Sequence, residues 1–392
     1  MRPKRHLFLL SGLLLVLFHF YRAIAFTLTQ WGKPWPHPVL TIDGNSYLEG
    51  ARRLAAGESI FSMADTYHSP AYQWWLSILL GTGDIVAASK ICALFFFALA
   101  LWLTFRLAKK YFSSDLAVVA MVIFSGSLSW VYYANMIQYE TLVGFLLLAW
   151  ASLEFSERSE ISGVLAGALL CLLILFHARF AALLVIPLYR LLKGGRRRGD
   201  WLSLAVTLTP VFLWCALYSL KSGQWIWVME RRDLLFRLGN NPNALGVGYP
   251  HPIIVEPSGW AFVLQRPAHF FWLVGERFQY LWGIQPDVWA VPPEGMGRTG
   301  WEPTLDLVGC ILVFVGLAVS LRRSRWPFYL LLAATLLPPL VIFGNKRTLI
   351  PVIPFLAIFQ AAALLALKDA LYSLSAVFSR IERKTTPSEP RT

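Results

Sequence analysis

Long apolar runs recur from one end of this sequence to the other, and each needs a bilayer or a large core to screen it from water. In order they are Leu7–Leu28, Val86–Leu107, Leu116–Tyr133, Tyr139–Glu154, Ile161–Phe176, Phe180–Leu192, Trp201–Leu220, Leu305–Leu321, Trp326–Phe343 and Leu349–Leu367. A spanning helix takes about 20 mostly apolar residues, so the pattern predicts an all-α polytopic membrane protein with about ten transmembrane helices. Composition agrees. The chain is 57% hydrophobic and only 15% charged, against about 25% charged for soluble proteins.

The loops set the orientation. Arg2, Lys4 and Arg5 precede the first run; Arg106, Lys109 and Lys110 follow the second; Lys193 and Arg196–Arg198 follow the sixth. Arg322, Arg323 and Arg325 follow the eighth, and Lys368, Arg380, Arg383 and Lys384 the last. Ten spans put all these clusters on the cytoplasmic side, as topology selection favours. Merging the fifth and sixth across "FHARF" would misplace the later ones. The net charge of +13 therefore reads as topological, and no nucleic-acid motif accompanies it. The first run is too long for a signal-peptide core and lacks a small-residue cleavage site, so it is expected to stay as a helix. The four cysteines, Cys92, Cys171, Cys215 and Cys310, lie inside apolar runs with neither metal-ligand nor disulfide spacing.

The expected organisation is a transmembrane module over residues 1–370, a first outer loop at 29–85, a long outer loop at 221–304 and a cytoplasmic tail at 371–392. The protein is expected in the inner or plasma membrane with both termini cytoplasmic. Both outer loops are rich in Trp, Phe and Tyr, unlike disordered segments.

The chemistry-bearing residues fall on the outer face. "NSYLEGARRLAAG" predicts a short amphipathic helix at the surface, stopped by Gly57, with Arg52 and Arg53 at headgroup level. Tyr67, His68, Ser69 and Pro70 open a further apolar helix. Contact with lipid phosphate is reason enough for Arg53 and Glu49, but it does not account for Asp43, an acid near an anionic surface. Glu140 begins the fourth span, and acids at such positions are functional candidates. His177 and Arg179 lie in the "FHARF" turn; Lys346 and Arg347 lie in "GNKRT". Positive residues outside run against the topological bias, and an anion there would explain them, as would snorkelling to headgroups. "FRLGNNPNALGVGYPHP" reads as turns, and "GWAFVLQRPAHFFWLVGERFQYLWG" as one or two interfacial helices.

These pieces together resemble the GT-C-fold glycosyltransferases that use polyprenyl-phosphate sugars. That family includes bacterial relatives of the dolichyl-phosphate-mannose protein mannosyltransferases and the lipid A aminoarabinose transferase. "DGNSYLEGARRLAAGESIF" with "HSPAYQWWLSILLG" looks like the family's first outer loop, and "YETLVGFLLLAW" like its fourth span. "FRLGNNPNAL" with "RPAHFFWLVGERFQYLW" looks like its long loop, and "NKRTLIPVIPFLAIF" like its last turn and helix. Departures exist: Asp43 is followed by Gly44 where many members have Glu, and His68 stands where a Lys is frequent. No large soluble domain follows the tenth span, which turns the expectation from a protein acceptor to a lipid-linked or cell-envelope one.

The resemblance implies inverting transfer of a sugar from an outward-facing polyprenyl phosphate. Asp43 would be the general base. His68, Arg179 and Arg347, with Arg52 and Lys346 as seconds, would hold the donor phosphate, and Glu140, Tyr67 and His177 would orient the acceptor or a cation. No cofactor is required; Asp43 with Glu140 could hold a divalent cation. The alternatives are a flippase or transporter of a lipid-linked saccharide, which usually shows repeats and midplane charges, and a polysaccharide polymerase or ligase. Neither repeats nor charges at the span centres stand out.

Overall fold

The computed structural model describes residues 2–29, 38–62, 70–156, 159–193, 198–223, 225, 232–244, 255–285, 302–321, 325–342 and 344–385. Among these every regular element is a helix. Helix α1 (Arg2–Thr29) is followed by α2 (Pro38–Ala55), α3 (Pro70–Leu80) and α4 (Ile85–Tyr111). Then come α5 (Ser114–Ser125), α6 (Leu128–Ala134), α7 (Glu140–Glu154) and α8 (Glu160–Phe176). A 3-10 segment, Ala178–Leu184, leads into α9 (Val185–Leu192) and α10 (Arg198–Ser222). The remaining helices are α11 (Arg232–Gly239), α12 (Trp260–Gln265), α13 (Pro267–Trp282), α14 (Glu302–Val319), α15 (Trp326–Val341), α16 (Lys346–Leu349) and α17 (Ile353–Thr385).

All ten apolar runs are helical, but they are not equal. Four described stretches are individually long and apolar enough to cross a bilayer: His6–Thr29, Ile85–Tyr111, Arg198–Lys221 and Lys346–Val377. The pair α5 and α6 passes the same test only when taken together, across a bend of 55°. Glu160–Phe176, Pro303–Val319 and Trp326–Val341 are apolar but shorter. The chain is a multi-pass membrane protein. Shorter and broken helices are tolerated at membrane depth where protein surrounds their backbone. Accordingly, the central helix α17 is 72% buried over its apolar window, while the peripheral α1 is 17% buried. The last helix also runs on to Thr385, through much of the expected tail.

Two polar ends bracket the bundle. At one, the Tyr111 hydroxyl donates to the Phe155 carbonyl, and the Lys110 ammonium to Ser156 Oγ at 3.1 Å. Arg325 Nε donates to the Tyr111 carbonyl at 3.2 Å, and Arg190 reaches both the Glu154 carbonyl and Asp200. The C-termini of α4, α7 and α9 and the N-termini of α10 and α15 thus meet, with Lys110, Arg190 and Arg325 among them. Helix α8 leaves from this end and α9 returns to it, so the chain reverses between them. The reversal is at His177, whose backbone is extended (φ −163°, ψ 124°). The fifth and sixth spans are therefore separate passages.

The first outer loop contains the expected helix, α2, which starts seven residues earlier than Asn45 and stops before Gly57 at φ +89°. In the long loop the aromatic stretch is two helices, α12 and α13, broken at Arg266 because Pro267 offers no N–H to continue the first. Residues 245–254 lie outside the described set.

Candidate active site

The second polar end gathers residues from four distant parts of the chain. Glu140 is the first residue of α7 and 1% exposed; a carboxylate there meets the positive end of the helix dipole. Its partner is Arg347 on α16, a single turn whose N-cap, Asn345, accepts the Thr348 N–H. Arg347 Nε donates to Glu140 Oε1, and Nη2 donates to the Gln138 side-chain oxygen. Its guanidinium carbon lies 5.7 Å from the Tyr139 ring centroid. The 3-10 turn Ile350–Val352 packs on α7 directly after this residue. Arg347 is thus pinned on two sides, and its orientation is set by Glu140.

His177 and Arg179 enter from the break after α8. The His177 ring is 5.9 Å from that of Tyr139, and its Nδ1 accepts the Arg179 N–H at 3.2 Å. Burial, with Arg179 and Arg347 nearby, pushes the imidazole well below its ordinary pKa, so it is neutral in the fold. Arg179 stacks over Phe180 at 4.8 Å. The residue is half-buried, and its Nε and Nη1 are sealed in without a hydrogen-bond partner among the described residues. Glu140 and Arg347 are both within electrostatic range of it. Among the described side chains, with His177 neutral, two guanidinium groups face one carboxylate, an excess of positive charge that suits an anion.

Aromatic rings wall the site. Tyr47 of α2 and Tyr72 of α3 meet edge to face at 4.9 Å, and each lies near Tyr139, at 6.2 and 6.1 Å. Tyr47 is 3% exposed, so α2 is docked on this end. A Cβ on Gly44 would lie 3.5 Å from the Ile137 carbonyl, in ordinary contact. The helical position of Asp43 therefore adjoins the strand of residues that delivers Gln138, Tyr139 and Glu140. The Asp43 side chain, Tyr67 and His68 lie outside the described residues.

Two further candidates are committed to acids. Arg52 is an exposed side chain 3.8 Å from Glu49. Lys346 bonds Asp306 of α14 at 2.5 Å, against Gly283, whose φ of +74° caps α13. Sequence reasoning did not single out Gln138, two residues before Glu140, nor Arg277. Arg277 is wholly buried, and its guanidinium donates to the carbonyls of Leu340, Val341 and Gly239 and to Asn240 Oδ1. It ties α13 and the end of α11 to the end of α15, five residues before Lys346. Among the described residues no three His, Cys, Asp or Glu side chains are placed to share a metal ion.

No family model matches the chain, and no curated protein does. Among solved structures, an oligosaccharyltransferase from Archaeoglobus fulgidus, tethered to an acceptor peptide containing an NVT sequon, is similar at TM-score 0.47 and 13% identity. The likeness covers 96% of this chain but 52% of that one, so this chain spans about half its length. At that TM-score the likeness does not by itself assign an activity.

Proposed function

We propose that this protein is an integral-membrane glycosyltransferase of the GT-C type. It would transfer a sugar from a polyprenyl-phosphate donor to a lipid-linked or cell-envelope hydroxyl acceptor at the Glu140–Arg347 end, which would face out of the cytoplasm. The observation that carries the reading is the buried cluster of Arg347, Arg179 and Glu140, walled by Tyr47, Tyr72 and Tyr139, beside the helix that holds Asp43. Tyrosine faces suit a sugar ring, and fixed guanidinium groups suit a phosphate.

In this mechanism Asp43 accepts the acceptor's hydroxyl proton as its oxygen attacks the anomeric carbon. The anomeric bond to the polyprenyl phosphate breaks with inversion, and the phosphate leaves as an anion. Arg179, with two nitrogens uncommitted, is the lead group for that developing charge. Arg347 contributes field and position, held by Glu140 and Gln138. Neutral His177 accepts the Arg179 N–H and keeps the turn in shape. His68 would join the donor phosphate and Tyr67 would orient the acceptor, as the family resemblance implies. Arg52 and Lys346, paired with Glu49 and Asp306, are secondary.

The test is transfer of labelled sugar from a panel of polyprenyl-phosphate donors in membranes containing wild type, Asp43→Asn or Arg179→Met. Transfer by wild type that collapses in both variants supports the reading and names the sugar. Transfer that survives Asp43→Asn removes the base and favours a ligase. No transfer from any donor, with saccharide flux across the bilayer instead, favours a transporter.

A further inference from the structure

A second polar site lies on the outermost helix, away from Glu140 and Arg347. Helix α1 runs parallel to α5: Gly12 faces Val118, and seven residues later His19 meets Ser125. His19 Nδ1 is 2.9 Å from Ser125 Oγ. The Ser125 hydroxyl donates its own proton to the Val122 carbonyl, also at 2.9 Å. With the hydroxyl proton on that carbonyl, the Nδ1–H tautomer of His19 donates to Ser125 and its Nε2 is the ring's other polar atom. Gly126 leaves room for the ring, since a Cβ there would come within 3.2 Å of it. One turn beyond His19, Arg22 is exposed, 5.9 Å from the Phe18 ring. Between them is a cavity of about 230 Å³ lined by His19, Arg22, Phe26, Ser125, Gly126 and Val131.

The side of α1 that turns away from the bundle is apolar: Leu14, Leu17, Phe18 and Tyr21 are all exposed. A soluble partner has no use for such a surface, whereas acyl chains do. From Leu7 to Arg22 the helix climbs roughly 22 Å, which leaves the guanidinium about 8 Å short of the far edge of a ~30 Å hydrocarbon core. An arginine on a lipid-facing helix is expensive unless an anion or the interface reaches it. No carboxylate pairs with Arg22 among the described residues. Helix α5 begins beside the Arg190 end, so Ser125 and the cavity lie in the half of the bundle toward Glu140.

We propose that the His19–Arg22–Ser125 cavity binds the phosphate headgroup of an anionic glycerophospholipid from the leaflet on the Glu140 side, with its acyl chains along α1. Arg22 pairs with the two non-ester phosphate oxygens, and the His19 ring lines the cavity beside them. The inference is independent of the catalytic reading.

The test is native mass spectrometry of the full chain released from micelles containing phosphatidylglycerol or phosphatidylcholine. Wild type should retain one phosphatidylglycerol with a preference on the order of tenfold over phosphatidylcholine, as a charge-assisted pair provides. Arg22→Leu should lose that preference, and His19→Leu should weaken it. Arg106→Leu, which removes a cation stacked on Trp102 of α4, should leave it intact. Equal retention of the two lipids, or a preference unchanged in Arg22→Leu, overturns the proposal. So does a wild-type dimer that Arg22→Leu dissolves, because the anion would then be a carboxylate of a second copy. Displacement of phosphatidylglycerol by equimolar polyprenyl phosphate overturns the choice of lipid.

Discussion

Removing Arg347 while leaving Glu140 in place should be among the most damaging single changes to this fold. Glu140 is 1% exposed and its Oε2 has no hydrogen-bond partner among the described residues, so Arg347 Nε is its principal counter-charge. Arg347→Met keeps the length of the stem but leaves a buried carboxylate uncompensated and takes a donor from Gln138. Breaking a buried pair in this way costs about 3–5 kcal/mol. At about 2 °C per kcal/mol for a large chain, the melting temperature should fall by roughly 6–10 °C. Glu140→Leu should cost less, about 2 kcal/mol, since the Arg347 side chain is 17% exposed and can turn to water. The double variant should return to within about 1 kcal/mol of wild type, because replacing both charges by apolar groups is often neutral. Thermal unfolding of the four proteins in one detergent reads the cycle. Arg347→Met melting within 2 °C of wild type, or a double variant below both singles, would refute the reasoning.

Three further outcomes are expected. Arg179→Met should melt at or above the wild-type temperature, because it removes a cation with two sealed, unpartnered nitrogens, while sugar transfer falls about 10²–10³-fold; a drop of several degrees would mean that Arg179 is structural. Arg277→Lys should lower stability by about 2–4 kcal/mol and speed proteolysis after α11, since an ammonium cannot reproduce the guanidinium's fork across three carbonyls and an amide oxygen; unchanged cleavage argues against the clamp. His177 has a folded pKa below its ordinary 6.5, so below about pH 6.5 the unfolded chain binds a proton that the native one does not. Stability should therefore fall as pH drops, by up to about 1.4 kcal/mol per unit from this group, and His177→Asn should flatten that part of the profile.

Several residues that the structure gathers at one end of the bundle, Glu140, His177, Arg179 and Arg347, were candidates from sequence. Each is ionisable and flanks an apolar run where charge is costly; Asp43 was singled out on the same ground, and its side chain lies outside the described residues. What spacing could not give is who holds whom. Glu140 was weighed as a group that orients a cation, and the structure names the cation as Arg347. Arg179 and Arg347 looked equivalent, yet one is pinned by two acceptors and the other has nitrogens to spare. Gln138 and Arg277 passed unnoticed. A lone amide in an aromatic turn and an arginine in an amphipathic helix are ordinary until their partners are known. Arg22 was hidden because one charge barely alters the hydropathy of a long run.

Hydropathy acts locally, so the chain alone determined that it is helical and membrane-spanning and roughly where its apolar helices fall. Tertiary structure alone decided the contacts between residues far apart. Glu140 and Arg347 are separated by 207 positions. No local periodicity encodes that meeting. It follows from packing α7 against the turn after α16, in surroundings where an unpaired charge is too costly to leave alone.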